Sequence, residues 1–202
     1  MSKNIIELNS INTKIIQEKL DIAVICFGGC CSNTFIDALE KNGYIVRSPT
    51  WAQILCHCPS PIKLDIPVIY LYRDPQEALL SMKRRGKGFW DINQHKLSNS
   101  INVNYSDGNL FTLMISQFYA WTNFKENKIL ILKYEELFED SINNKLSIFL
   151  NNDKLTNFPI KYNKPNITHS IIDSIDIKLK NLFQKYQTDI DYINNFSNTL
   201  DK

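Results

Sequence analysis

Three short apolar runs, each leading through a turn signal into a helical pattern, constrain the fold more than any other feature of the chain. Asp21 to Phe27 (DIAVICF), Pro67 to Tyr72 (PVIYLY) and Lys128 to Tyr134 (KILILKY) are almost unbroken by polar residues. Runs of this length, rich in β-branched residues, read as strands buried on both faces. Gly28-Gly29 breaks the first, Ser32 or Asn33 can cap a helix running to about Asn42, and Gly43 stops that helix. Pro75 suits the first turn of a helix from Asp74 to about Arg85. Leu110 to Asn127 is helical, as is Glu135 to Leu150 with a break near Ser141, and Ser170 to Tyr186 is amphipathic. Ile11, Ile15, Ile16 and Leu20 mark one face of a short helix over residues 10–20, and Tyr44 to Arg47 reads as a further short strand. Strand alternating with helix predicts an α/β fold, a three-layer α/β/α sandwich with a central parallel sheet.

The chain has 202 residues, and no repeat or Pro/Gly/Ser-rich linker divides it, so a single domain over 1–202 is expected. Residues 86–108 are polar and patternless, the mark of a lid or variable loop, and residues 166–197 form a helical C-terminal extension. Lys and Arg total 23 against 21 Asp and Glu, a net charge of +2, which excludes a protein that coats nucleic acid along its backbone. Apolar residues at 44% supply a core and exclude general disorder. No apolar run approaches the ~18 residues of a membrane span, and charges interrupt the first twenty residues, unlike a secretory signal. A soluble, cytoplasmic protein is expected. The five cysteines, Cys26, Cys30, Cys31, Cys56 and Cys58, are odd in number and tightly clustered, which makes a poor disulfide framework. They lack the C-x₂₋₄-C pairs usual in zinc sites, so no metal is expected and buried thiols are the plain alternative.

Ligands of open parallel sheets lie beyond the carboxyl ends of the strands. Three motifs fall there: the loop at 28–35, Arg73 and Tyr134. In the first, a glycine turn followed by small polar residues and a helix start can present backbone N–H groups to an anion, with Ser32, Asn33 and Thr34 as further donors. An ordinary glycine turn with a helix cap has the same appearance, and the lysine of a nucleotide-triphosphate loop is missing. In the second, Arg73 leaves a strand and Ser81 follows eight positions later, about two turns at ~3.6 residues each. A guanidinium fork beside a hydroxyl suits a phosphate monoester, and pairing of Arg73 with a local carboxylate is the alternative. The third candidate is His57, in Cys56-His57-Cys58-Pro59, which is either a general base or a structural histidine.

Together these residues resemble the PAPS-dependent sulfotransferase family over most of residues 21–150. Gly29-Cys30-Cys31-Ser32-Asn33-Thr34-Phe35 stands where that family carries its 5′-phosphosulfate loop, P-K-S-G-T-T-W, with Thr34 matching the second threonine and Phe35 the aromatic near adenine. Arg73-Asp74-Pro75 with Ser81 matches the 3′-phosphate motif. Cys56-His57-Cys58-Pro59 is similar to the T-H-x-P context of the catalytic base, and Trp121 followed by Ile129 to Leu137 is similar to the family's W…(V/I)LxLxYEDL segment. The chain departs from the pattern at Cys30, where the family has its loop lysine, and lacks the C-terminal R-K-G-x-x-G-x-x-K loop.

The resemblance implies a P-loop fold of the sulfotransferase type. It implies PAPS as co-substrate without a metal, and a hydroxyl or amine acceptor on a small molecule or glycan. His57 would be the catalytic base. Gly29, Cys30, Cys31, Ser32, Asn33, Thr34, Phe35, Arg73, Ser81 and Tyr134 would hold the nucleotide. Trp90 and His95 of the 86–108 segment stand where they would meet the acceptor. The departures keep open a degenerate, non-catalytic binder of 3′,5′-bisphosphate nucleotides. A small P-loop kinase or NTPase, and a Cys/His metal-binding module, are the alternatives from other classes.

Overall fold

The computed structural model describes residues 19–47, 56–86, 106–161 and 177–197. Residues 10–18 of the helix expected over 10–20, most of the 86–108 segment with Trp90 and His95, and the start of the C-terminal extension lie outside these residues.

The chain is α/β, with a three-stranded parallel sheet and helices around it. Strands β1 (Ala23–Ile25), β2 (Val68–Tyr72) and β3 (Ile129–Lys133) pair in the order β1-β2-β3. Val68 stands opposite both Ala23 and Ile129, and β2 holds the centre with all five residues buried. β3 alternates buried and half-buried positions, as suits the outer strand of this sheet.

Helix α1 (Ser32–Lys41) buries Phe35, Ile36, Ala38 and Leu39. It stops where Gly43 takes a φ of 89°, and the Asn42 amide donates to the Ala38 carbonyl at 2.7 Å. Helix α2 (Pro75–Arg84) has Pro75 in its first turn. The Asp74 carboxylate caps it, accepting from the N–H groups of Gln76 at 2.7 Å and Glu77 at 3.0 Å. Helix α3 (Asp107–Asn123) packs against α2 and buries Leu110, Phe111, Met114, Phe118 and Trp121. A 3-10 turn (Tyr134–Phe138) follows β3, then α4 (Ser141–Leu150), α5 (Ile177–Lys185) and α6 (Gln187–Asn194).

The core centres on β2 and α3. Tyr70 stacks on Trp121 with ring centroids 6.3 Å apart, and Tyr72 meets Phe118 edge-on at 5.1 Å. No helix among the described residues is long and apolar enough to cross a membrane.

One expected element is corrected. Tyr44 to Arg47 is not a strand. It meets the chain ahead of β1 at one place, where the Asp21 N–H donates to the Ile45 carbonyl at 2.8 Å. Of its four residues only Val46 is buried, so no apolar face holds a ladder together. The break expected near Ser141 is present: the Glu136 carboxylate accepts from the Lys133 N–H at 2.6 Å, the first turn is in 3-10 form, and α4 begins at Ser141. The C-terminal pattern likewise ends at Lys185 and restarts at Gln187.

The end of α6 reaches back to the sheet. The Asn194 amide donates to Asp74 at 2.5 Å, and the Lys133 ammonium donates to the Asn194 carbonyl at 2.9 Å. Asp74 therefore serves two elements at once. Asp74→Ala is expected to cost about 1–2 kcal/mol through the lost cap. It should lower Tm in calorimetry by at least ~2–4 °C, the shift for about 1 kcal/mol in a chain of this size. Asp74→Asn, which keeps a capping oxygen, should recover most of that loss.

Candidate functional site

The loop after β1 turns a buried strand into a helix within a few residues, and its backbone carries the strain of doing so. Gly28, Gly29 and Cys31 have φ of 97°, 70° and 60°. Gly29 cannot carry a side chain here, because a Cβ would lie 2.7 Å from the Ala78 carbonyl oxygen on α2. Cys31 occupies the N-cap position in the left-handed conformation and gives no side-chain cap. Ser32 is thus the first helical residue, and neither it nor Asn33 is the cap. The first N–H groups of α1 have no intrahelical acceptor, and the positive end of the helix dipole lies with them. Ser32 and Thr34 are half-buried there and Asn33 is exposed. Such a turn is chemically suited to an anion.

Arg73, at the end of β2, is 4% exposed. Its Nε donates to the Glu77 carboxylate at 2.9 Å, its Nη2 makes a second bond to the same oxygen, and its Nη1 donates to the Gly29 carbonyl at 3.3 Å. The guanidinium lies 4.3 Å from the centre of the Tyr134 ring, in cation–π contact. The structure therefore brings together the glycine loop, Arg73 and Tyr134, from the ends of β1, β2 and β3. Ser81 lies further along α2 and is half-buried. Glu77 falls between Arg73 and Ser81 on one helical stripe, four residues from each. Sequence reading missed Glu77, although an acid four residues after an arginine is a visible ion-pair signal.

His57 is held beside the first strand. The Cys26 N–H donates to the Cys56 carbonyl at 2.7 Å, and His57 Nδ1 lies 3.0 Å from the Cys26 carbonyl oxygen. A carbonyl only accepts, so Nδ1 carries the proton and the lone pair of the neutral ring is on Nε2. That is the tautomer a general base requires. The Cys56 thiol donates to the Ser32 hydroxyl at 3.7 Å, which sets the histidine segment against the start of α1. Two side chains of α3 fix this segment: Gln117 and the Trp121 indole both donate to the Cys58 carbonyl, at 2.8 Å and 3.0 Å. Gln117, fully buried, also went unnoticed in the sequence, where a lone glutamine in an apolar helix was the available signal.

The cysteines are chemically unequal. Cys26 is held well below the ordinary thiol range, first by the Cys30 and Cys56 thiols and then by His57, against the opposing effect of burial. Burial pushes Cys30 well up, and its thiol donates to the Gly28 carbonyl at 3.1 Å. Burial also lifts Cys58, to about 11. Position 30 therefore holds a buried, neutral group. Phe35 is fully buried with its ring 5.9 Å from Phe158, so it supports α1 from inside the core.

Comparison with family models, with characterised proteins and with solved structures finds no match for this chain.

The close approach of Gly29 to α2 makes it the most sensitive position of the loop. Gly29→Ala is expected to destabilise by on the order of 2–3 kcal/mol, from left-handed strain and a clash with backbone. Gly43→Ala, at φ 89° with nothing within 4 Å of the added methyl, carries the strain alone. Urea denaturation of the two variants should show the larger loss at Gly29, and equal losses would refute the close approach.

Proposed function

We propose that this chain is a sulfotransferase-like enzyme on a three-layer α/β/α P-loop fold, transferring a sulfuryl group from PAPS to a hydroxyl or amine. The observation that carries the reading is the hydrogen bond from Arg73 Nη1 to the Gly29 carbonyl, at 3.3 Å. It joins the two elements that a 3′,5′-bisphosphorylated nucleotide needs, at the ends of adjacent strands. The loop at 29–34 takes the 5′ side through backbone N–H groups. Arg73, with Ser81 further along α2, takes the 3′-phosphate, and Tyr134 backs the guanidinium. Among the described residues, three of Arg73's five N–H groups find acceptors, which leaves donors on Nη1 and Nη2 for a phosphate.

In the transfer, Nε2 of His57 removes the acceptor's proton as the acceptor oxygen or nitrogen bonds to sulfur. The bond from sulfur to the bridging phosphate oxygen breaks, and adenosine 3′,5′-bisphosphate leaves with its electron pair. Positioning and fixed dipoles do most of this work. The acceptor is a small molecule or glycan, nucleic acid is not a partner, and five free thiols suit a reducing compartment such as the cytoplasm.

One pair of observations favours a second reading, a binder that no longer catalyses. Cys30 is buried and neutral where a lysine would meet the leaving group, and Glu77 already occupies the Arg73 fork.

Thermal shift and labelled PAPS with pooled acceptors separate the readings. Adenosine 3′,5′-bisphosphate should raise Tm of the unmodified protein, and Arg73→Ala should remove the shift. His57→Ala should keep the shift and lose transfer. No shift with either nucleotide would sink both readings, while a shift without transfer selects the binder. Glu77→Gln, which frees the fork of a partly exposed carboxylate, should tighten nucleotide binding about 2–5-fold, the equivalent of ~0.5–1 kcal/mol.

A further inference from the structure

We infer that Cys26, Cys56 and His57 form a binding site for a thiophilic d10 cation, of which Zn²⁺ is the probe. Two sulfurs and a ring nitrogen of these residues lie within 4.8 Å of one another. The two sulfurs are 3.7 Å apart. Tetrahedral zinc with bonds of ~2.3 Å to sulfur sets two thiolates about 3.8 Å apart, so the pair needs almost no movement.

The third ligand is a histidine whose ring is held by a backbone hydrogen bond. Coordinating rings donate their second N–H to a carbonyl or carboxylate, which fixes the tautomer and the plane. Here Nδ1 donates to the Cys26 carbonyl at 3.0 Å. The donors also sit on a fixed frame. The Cys26 N–H to Cys56 carbonyl bond ties the two cysteine backbones together, and Gln117 and Trp121 fix the next carbonyl. A preformed set of this kind binds without the ordering cost that weakens sites on mobile loops.

Chemistry selects the cation class. Two thiolates and an imidazole are soft and borderline donors, which exclude magnesium and calcium and suit zinc or cuprous copper. Both thiols lose a proton to solvent on binding, so the dication meets two negative charges and the buried site stays neutral. Three protein ligands leave one tetrahedral position for water, or for the Ser32 hydroxyl that already lies 3.7 Å from the Cys56 sulfur. Spacing rules do not find this site, because its cysteines are thirty residues apart in sequence. Occupation of the site would use the His57 lone pair, so in the transferase reading the cation withdraws the base. That consequence rests on the proposed function, but cation binding itself does not.

The test uses the full chain, reduced and stripped with a chelator. Competition against a chromophoric zinc chelator should show submicromolar binding, with one zinc per chain by elemental analysis. Co²⁺ bound to the unmodified protein should give a thiolate-to-cobalt charge-transfer band and tetrahedral visible bands. Cys26→Ser and Cys56→Ser should each weaken zinc binding by roughly a hundredfold or more, beyond the ~10–100-fold typical of losing a supporting group. Cys58→Ser should bind zinc as the unmodified chain does. The proposal is overturned if the unmodified chain binds no zinc below micromolar concentrations. It also fails if the cobalt complex lacks the thiolate band, which needs no variant to fold, or if both serine variants keep full affinity.

Discussion

The buried guanidinium of Arg73 is the constraint on which the sheet's carboxyl edge depends. A charge at 4% exposure is costly unless every partner is in place. Glu77 supplies the opposite charge, the Gly29 carbonyl takes Nη1, and the Tyr134 ring covers one face. Each partner comes from a different element, so satisfying one side chain fixes how the glycine loop, α2 and the turn after β3 meet. The loop must bring a carbonyl to Arg73 and also pass against Ala78, and only glycine does both at position 29. The Glu77 carboxylate is the exchangeable member. It is 46% exposed, so it can leave the fork to solvent where the Gly29 carbonyl and Tyr134 cannot. In the proposed function a phosphate dianion at Arg73 would replace one acidic partner with another.

The carboxyl edge is divided by the C-terminal helices. At the ends of β2 and β3 the chain after α6 and its last turn are tied on: Tyr72 donates to the Phe196 carbonyl at 3.3 Å, Lys133 to the Asn194 carbonyl, and Asn194 to Asp74. Over β1 the edge instead carries the glycine loop, the start of α1 and the histidine segment. The glycine loop and His57 thus stand on the β1 side, while Arg73 and Tyr134 follow the ends of β2 and β3. The division depends on α6, whose anchoring residues bond to the ends of two strands.

The strands were legible in the sequence because burial on both faces leaves a continuous apolar run, as at Val68–Tyr72. Helix α2 was legible from Asp74-Pro75, which specifies a cap and a first turn in two residues. The Tyr44–Arg47 segment misled because β-branched residues favour a strand only where a neighbouring strand and a buried face are available. The break near Ser141 was legible in the pattern, while the 3-10 form of the turn before it, with Glu136 reaching back to a backbone N–H, was not. Within the site, the positions of Arg73 and the glycine loop followed from strand ends. The local carboxylate offered as the alternative partner of Arg73 is Glu77, four residues on, whereas Gln117 and the Cys26–Cys56 contact are set by how elements cross.

The Cys26 carbonyl links the two roles argued for His57. By accepting from Nδ1 it leaves the ring's lone pair on Nε2, whichever partner that lone pair meets. Proton abstraction and cation coordination both draw on that lone pair, and the ring has no second one to give. The two roles therefore exclude each other at any instant, although the same carbonyl prepares both. Gln117 reinforces the arrangement from beneath, donating to the Cys58 carbonyl at 2.8 Å and lying 3.4 Å from the Cys26 carbonyl. Rotating the ring to release its lone pair from this alignment would break a bond at a buried strand end, which costs more than reorienting an exposed histidine. In the proposed function, control over the base would thus lie in what reaches Nε2 and not in movement of His57.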